Sequence, residues 1–199
     1  MNFKATLCAT LLPVLLAGSV SAFAEEEEPV APTAVTVPGG QISFTGEVIA
    51  APCAVDNDSA NQVVKLGQVS TNVFSDVGST SGAVPFSIKL TGCDLSGTDG
   101  SANYTKAAIT FNGQTVAGNN KALAVSSGGG VANSTAGNIG VQIQQDGAAV
   151  VVDGAGSSTA KAIAAGSNEM FFDAAYVATA KNVTAGVANA TADFTVTYE

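Results

Sequence analysis

The sequence contains no histidine, no tryptophan and no arginine, and aromatic residues make up only 6% of it. Without histidine, proton transfer near neutral pH would fall to paired carboxylates or a perturbed lysine. The acids lie mostly in turn-like stretches or in the run Glu25 to Glu28, so no enzyme is expected. Positive charge is also scarce: the net charge is −9, and the six lysines after residue 24 are scattered singly. Phosphate binding needs a clustered basic surface, so neither nucleic acid nor an anionic membrane is an expected partner. Two faint motifs dissolve on inspection. "DNDSAN", Asp56 to Asn61, opens like a calcium loop, but the turn glycine is missing and Gly67 stands where the closing glutamate would be. It reads as a polar turn. Gly128, Gly129 and Gly130 have no strand before them and no Lys-Ser/Thr after them, which suits a loop better than a phosphate cradle. No metal and no cofactor are expected.

Long apolar runs are confined to the N-terminus. Lys4, then "LCATLLPVLLAG", then Ala22-Phe23-Ala24 form the charged, apolar and small-residue parts of a secretory signal over residues 1–24. A transmembrane anchor would need about 20 apolar residues. A lipoprotein is disfavoured because Ser19 occupies the position of the lipidated cysteine. Removing the signal removes Cys8 and leaves Cys53 and Cys93, an even count in an exported chain, so a disulfide is the default.

What the sequence does have is glycine, alanine, valine, threonine, asparagine and serine in short alternating runs. "QISFTGEVI", "NQVVKLGQV", "AVPFSIKLTGC", "KAAITFNG", "KALAVSS", "IGVQIQQDG", "EMFFDAAYVAT" and "ADFTVTYE" are separated by Gly, Asn, Asp and Ser clusters. Regular short strands with turn signals predict an all-β sandwich or barrel in one domain. "NQVVKL" and "STAKAIAAG" could hold a turn of helix, and residues 126–138 read as a loop.

Two of these runs have unusual positions. "EEEEPVAPTAVTVPGG", residues 25–40, is an acidic, proline-bearing leader with no hydrophobic face, read as an initially disordered arm. An apolar strand grows directly out of it, with Gly40, Ile42, Phe44, Gly46 and Val48 on one face and Gln41, Ser43, Thr45 and Glu47 on the other. At the other end, Phe194, Val196 and Tyr198 alternate with Thr195, Thr197 and Glu199, a strand with one buried face.

These residues resemble the pilins of the chaperone-usher pathway, and in particular the major subunit of type 1 fimbriae. The resemblance rests on "GGQISFTGEVIAAPCAVD", "QVVKLGQVST", "FSIKLTGCD", "NIGVQIQQDGAAV" and "YVATAKNVTAGVANATADFTVTYE", which span Gly39 to Glu199. Its most specific part is terminal: a penultimate aromatic, Tyr198, alternating apolar residues before it, Val196 and Phe194, and a glycine fourteenth from the end, Gly186. The resemblance implies an incomplete immunoglobulin-like β-sandwich, the pilin fold, which lacks its last strand and is completed by donor-strand exchange. It implies a donor strand over about residues 37–47, with Pro38 near the end where exchange begins. By the same resemblance Gly40 would sit where the groove leaves no space for a side chain, with Ile42, Phe44 and Gly46 also in the donor strand, and Gly186, Phe194, Val196 and Tyr198 would form the acceptor and chaperone-binding side.

The chain then divides into a signal, residues 1–24, an arm with the donor strand, 25–47, and a pilin domain, 48–199. The expected function is a structural subunit of an extracellular fimbrium that supports adhesion. Its implied partners are identical or related pilin subunits, a periplasmic chaperone and an outer-membrane usher, and it is exported through the periplasm to the cell surface. The leader "EEEEPVAP" is longer and more acidic than the family's usual extension. The alternatives are a minor or adaptor pilin of the same system and a monomeric secreted immunoglobulin-like binding module.

Overall fold

A computed structural model describes residues 33–96, 103–127 and 134–199. The signal over residues 1–24, the run Glu25 to Glu28 and the glycines 128–130 lie outside the described residues. The chain divides into two units, residues 1–46 and 47–199. In the first, residues 33–46 carry neither helix nor strand and are exposed throughout.

The second unit is built from strands, with one short 3-10 turn at Thr71–Val73 among its described residues. In chain order the strands are β1 (Ala54–Val55), β2 (Val84–Cys93), β3 (Lys106–Gly113), β4 (Thr115–Val116), β5 (Asn119–Ala124) and β6 (Ile139–Gln145). They continue with β7 (Ala148–Ala149), β8 (Asp153–Ser157), β9 (Lys161–Ala162), β10 (Gly166–Ala178) and β11 (Ala192–Tyr198). They form two sheets. The larger runs β1-β2-β10-β6-β5-β4, with β7 beside β6, and the smaller runs β11-β3-β8, with β9 beside β3. The long pairings are antiparallel, β10 joining β2 from Gly166↔Cys93 to Ala174↔Val84 and β6 from Asp173↔Gln144 to Ala178↔Ile139.

Period-2 patterning places the core. On β2, Phe86, Ile88 and Leu90 point inward while Pro85 and Lys89 are exposed. On β3, Ala107, Ile109 and Phe111 are buried, and they meet Met170 and Phe172 from β10. Three aromatic rings stitch the two sheets together. Phe172 stacks on Phe86 at 5.6 Å between centroids, and Phe111 of the smaller sheet meets Phe172 edge-on at 5.2 Å, geometries that add to area burial.

Three expectations are corrected. "QISFTGEVI" forms no strand and is exposed along its whole length, because none of its backbone groups joins a ladder. "NQVVKLGQV" forms no strand, because Asn61 and Gly67 adopt left-handed φ of 62° and 72° and interrupt any ladder. Neither it nor "STAKAIAAG" contains helix; the latter contributes the two residues of β9. "DNDSAN" is a polar turn, in which the Asp58 N–H donates to the Asp56 side chain at 3.0 Å.

Candidate functional site

The unusual feature of the second unit is an unfinished sheet edge. β11 pairs with β3 along its whole length, from Ala192↔Gly113 to Tyr198↔Ala107, and ends the order of its sheet. Lys106 and Glu199 exchange both backbone bonds, at 3.0 and 2.9 Å. Because hydrogen-bonded pairs alternate along an antiparallel ladder, Thr197, Thr195 and Asp193 continue that bonded set. The N–H and C=O groups of Phe194, Val196 and Tyr198 therefore point away from β3, toward the free side. Such a row of unpaired groups is a template for another strand.

The side chains carry the same message. Ala192, Phe194, Val196 and Tyr198 alternate with exposed Asp193, Thr195 and Thr197, but they are half-buried instead of buried. They pack against the core together with half-buried Val55, Leu66 and Phe86. Phe86 lies on β2, whose neighbours among the described residues are β10 and the two-residue β1, paired at Leu90 and Thr91. Beyond β1, irregular chain stands in for a strand. The Gln62 side chain donates to the Ser87 carbonyl at 2.9 Å, and the Lys89 N–H donates to Ser59 Oγ at 2.9 Å. Both sheets thus have an edge at which inward-facing apolar groups remain half covered. Sequence reasoning did not single out Phe86. Pro85, a residue confined to edges because it lacks a ladder donor, was the signal that could have found it.

Cys53 and Cys93 are disulfide-bonded across 40 residues and buried. The Tyr198 hydroxyl donates to the Cys53 carbonyl at 3.2 Å, and its ring meets Tyr104 edge-on at 6.1 Å. The Tyr176 hydroxyl donates to the Ala188 carbonyl at 3.1 Å. Burial pushes both phenols above their ordinary pKa of 10.0. The folded state thus holds protons that the unfolded chain releases first, and the associated stability, complete below about pH 10, is lost as pH rises through the folded values. Thermal melts compared at about pH 8 and about pH 11 should show this loss, and it should shrink when both tyrosines are replaced by phenylalanine.

Gly186 lies outside β11, in the segment that bridges back to Thr135 through Val187. A Cβ there would stand 2.3 Å from the Ser134 carbonyl oxygen and 2.5 Å from the Ala136 nitrogen, so only glycine permits this close backbone approach. The same segment borders a cavity of about 450 Å³ lined by Phe74, Ile139, Tyr176, Val183 and Val187 among others.

The first unit holds Pro38, Gly40, Ile42, Phe44 and Gly46, all exposed. Ile42 is 78% and Phe44 90% accessible, and in the second unit Val48 is fully so. Gly40 has φ of 111° with open space around it. Among the described residues no group of three or more His, Cys, Asp or Glu could hold a metal ion.

Two β-sheets, one of them ending on an edge strand open to pairing, in a chain that also exposes an alternating apolar segment, define an all-β protein of the sandwich class. The family model described as "Fimbrial protein" matches residues 42–199, and the chain belongs to that family. It is 40% identical over 196 residues to the type-1 fimbrial protein A chain of Escherichia coli K12, covering 98% of each chain. It is 36% identical over 199 residues to long polar fimbria protein A of Salmonella typhimurium, covering 100% of both. The fold is similar to the crystal structure of the P pilus rod subunit PapA, with a TM-score of 0.61 and 27% identity over 75% of this chain and 100% of that one. The protein is a structural fimbrial subunit of immunoglobulin-like fold, not an enzyme, and belongs to an extracellular pilus built with other pilins.

Proposed function

We propose that copies of this chain polymerise head to tail by donor-strand exchange, with residues 37–47 of one copy completing the sheet edge at β11 of the next. The observation that supports this reading is the mismatch at both ends of the joint. Phe194 and Val196 are only half-buried, while Ile42 and Phe44 are left in solvent. Strand addition resolves both at once. Each of the two arm residues contributes roughly 1.5 to 3 kcal/mol on full burial. Alternation sets the register, since a slip of one residue would turn Gln41 and Ser43 toward the core.

In this reading Gly40 and Gly46 share the inward face with Ile42 and Phe44, and Pro38 lies near the end where exchange starts. The arm spans residues 25–47 and the pilin domain 48–199. Donor and acceptor surfaces differ, so the contact does not close on itself and yields a filament. A periplasmic chaperone covers the acceptor edge after export and removal of residues 1–24, and an outer-membrane usher exchanges it for the next subunit's arm.

Deleting residues 25–45 tests the mechanism. The shortened subunit is expected to take up a synthetic peptide of residues 37–48 yet to extend no fibre. Fibres of unchanged length after the deletion would refute it.

A further inference from the structure

The hydroxyl of Tyr198 reaches across the sandwich. Tyr198 ends β11 in the smaller sheet, and the carbonyl it donates to belongs to Cys53, the residue immediately before β1 of the larger sheet. The chain around Cys53 is tethered to the end of β2. The disulfide fixes Cys53 to Cys93 at the end of β2, and Asp94 N–H donates to the Pro52 carbonyl at 2.8 Å. Asn168 Nδ2 lies 3.3 Å from Cys93 Sγ while the same side chain both donates to and accepts from the Ala164 backbone. On the other side of the contact, the end of β11 is pinned to β3 by the Glu199 and Lys106 backbone pair.

We infer that Tyr198 is a positioning residue whose hydroxyl, acting through the disulfide-held Cys53 carbonyl, latches the end of the β11 edge to the opposite sheet. The ring alone would supply apolar contact, as phenylalanine would. The hydroxyl adds a directed bond whose acceptor stays in place only while Cys53 is tethered to β2. A bond of this kind contributes modestly when its partner is fixed and almost nothing when the partner is free to move to water. The effect of the hydroxyl therefore depends on the disulfide, although 145 residues separate Tyr198 from Cys53. The consequence for strand uptake rests on the reading of β11 as acceptor edge; the latch itself does not.

The test is a cycle on the full chain: wild type, Tyr198→Phe, Cys53→Ala with Cys93→Ala, and all three substitutions. Amide hydrogen exchange is read at Thr197 and Glu199 on one side of the latch and at Asp56 and Asp94 on the other. With the disulfide intact, Tyr198→Phe should speed exchange on both sides by about threefold to tenfold. Without the cysteines the same substitution should add less than about twofold. Equal acceleration in both backgrounds, or none with the disulfide intact, would overturn the latch. Should the cysteine-free chain not fold, the intact pair still decides, because acceleration confined to β11 contradicts a tie across the sheets. Uptake of the peptide of residues 37–48 is measured in parallel. Failure of every variant, wild type included, to bind it would sink the proposed exchange while leaving the latch to the exchange data.

Discussion

Replacing Phe44 with aspartate is expected to stop fibre growth while leaving the melting temperature of the folded subunit unchanged. The second half follows from exposure: Phe44 is 90% accessible, so the subunit loses no packing. The first half follows from burial in the joint. The variant forfeits roughly 1.5 to 3 kcal/mol of apolar burial and must desolvate a carboxylate with no cation among its arm neighbours "QISFTGE". Together these weaken the joint by more than about a hundredfold. Electron microscopy of sheared filaments, beside melts of the purified subunit, reads both quantities. Filaments of normal length would remove Phe44 from the joint, and a lowered melting temperature would mean that its side chain already packs within its own subunit.

Loss of the disulfide should act on the opposite ledger, lowering subunit stability directly. Cys53 and Cys93 close a loop of 40 residues, and in the chain-entropy account such a closure stabilises by an amount on the order of 4 kcal/mol. A domain of this size is stable by only about 5 to 15 kcal/mol, so the double Cys→Ala variant should melt roughly 10 °C lower. The effect should also be local. β1 is only two residues long, and Cys53 is its covalent link to β2, so the unpaired edge of the larger sheet should loosen first. Thermal unfolding of the oxidised chain and the variant under identical conditions checks the magnitude, and a shift of only a degree or two would show that β1 is held by its contacts alone.

Parts of this architecture were legible in the sequence for a simple reason: a half-buried strand writes its two faces in alternate residues. β11 could be read that way face by face, whereas β2 and β3 could be read only as strands, since Ala107, Ala108 and Ile109 are buried in a row on β3 and Phe86 on β2 was not assigned to a face. The segment after Asn61 could not, since its apolar residues also suit a strand and only two left-handed positions, invisible to periodicity, break it. Val63, read as strand, is 81% exposed. Gly186 was picked out by the family resemblance alone, and the cause of its requirement, the backbone of residues 134–136 occupying the space of a side chain, left no mark in the sequence. The Tyr198 contact with Cys53 was beyond reach for a similar reason. It joins groups far apart in sequence that only the stacking of two sheets brings together.

The free side of β11 offers the most direct test. In the isolated subunit the amides of Asp193, Thr195 and Thr197 are bonded to β3, whereas those of Phe194, Val196 and Tyr198 face outward. Amide hydrogen exchange should be followed in the subunit lacking residues 25–45, before and after addition of a peptide of residues 37–48. Strand addition predicts strong new protection at Phe194, Val196 and Tyr198, with Asp193, Thr195 and Thr197 little changed. Bound peptide with those three amides still exchanging freely would contradict the account.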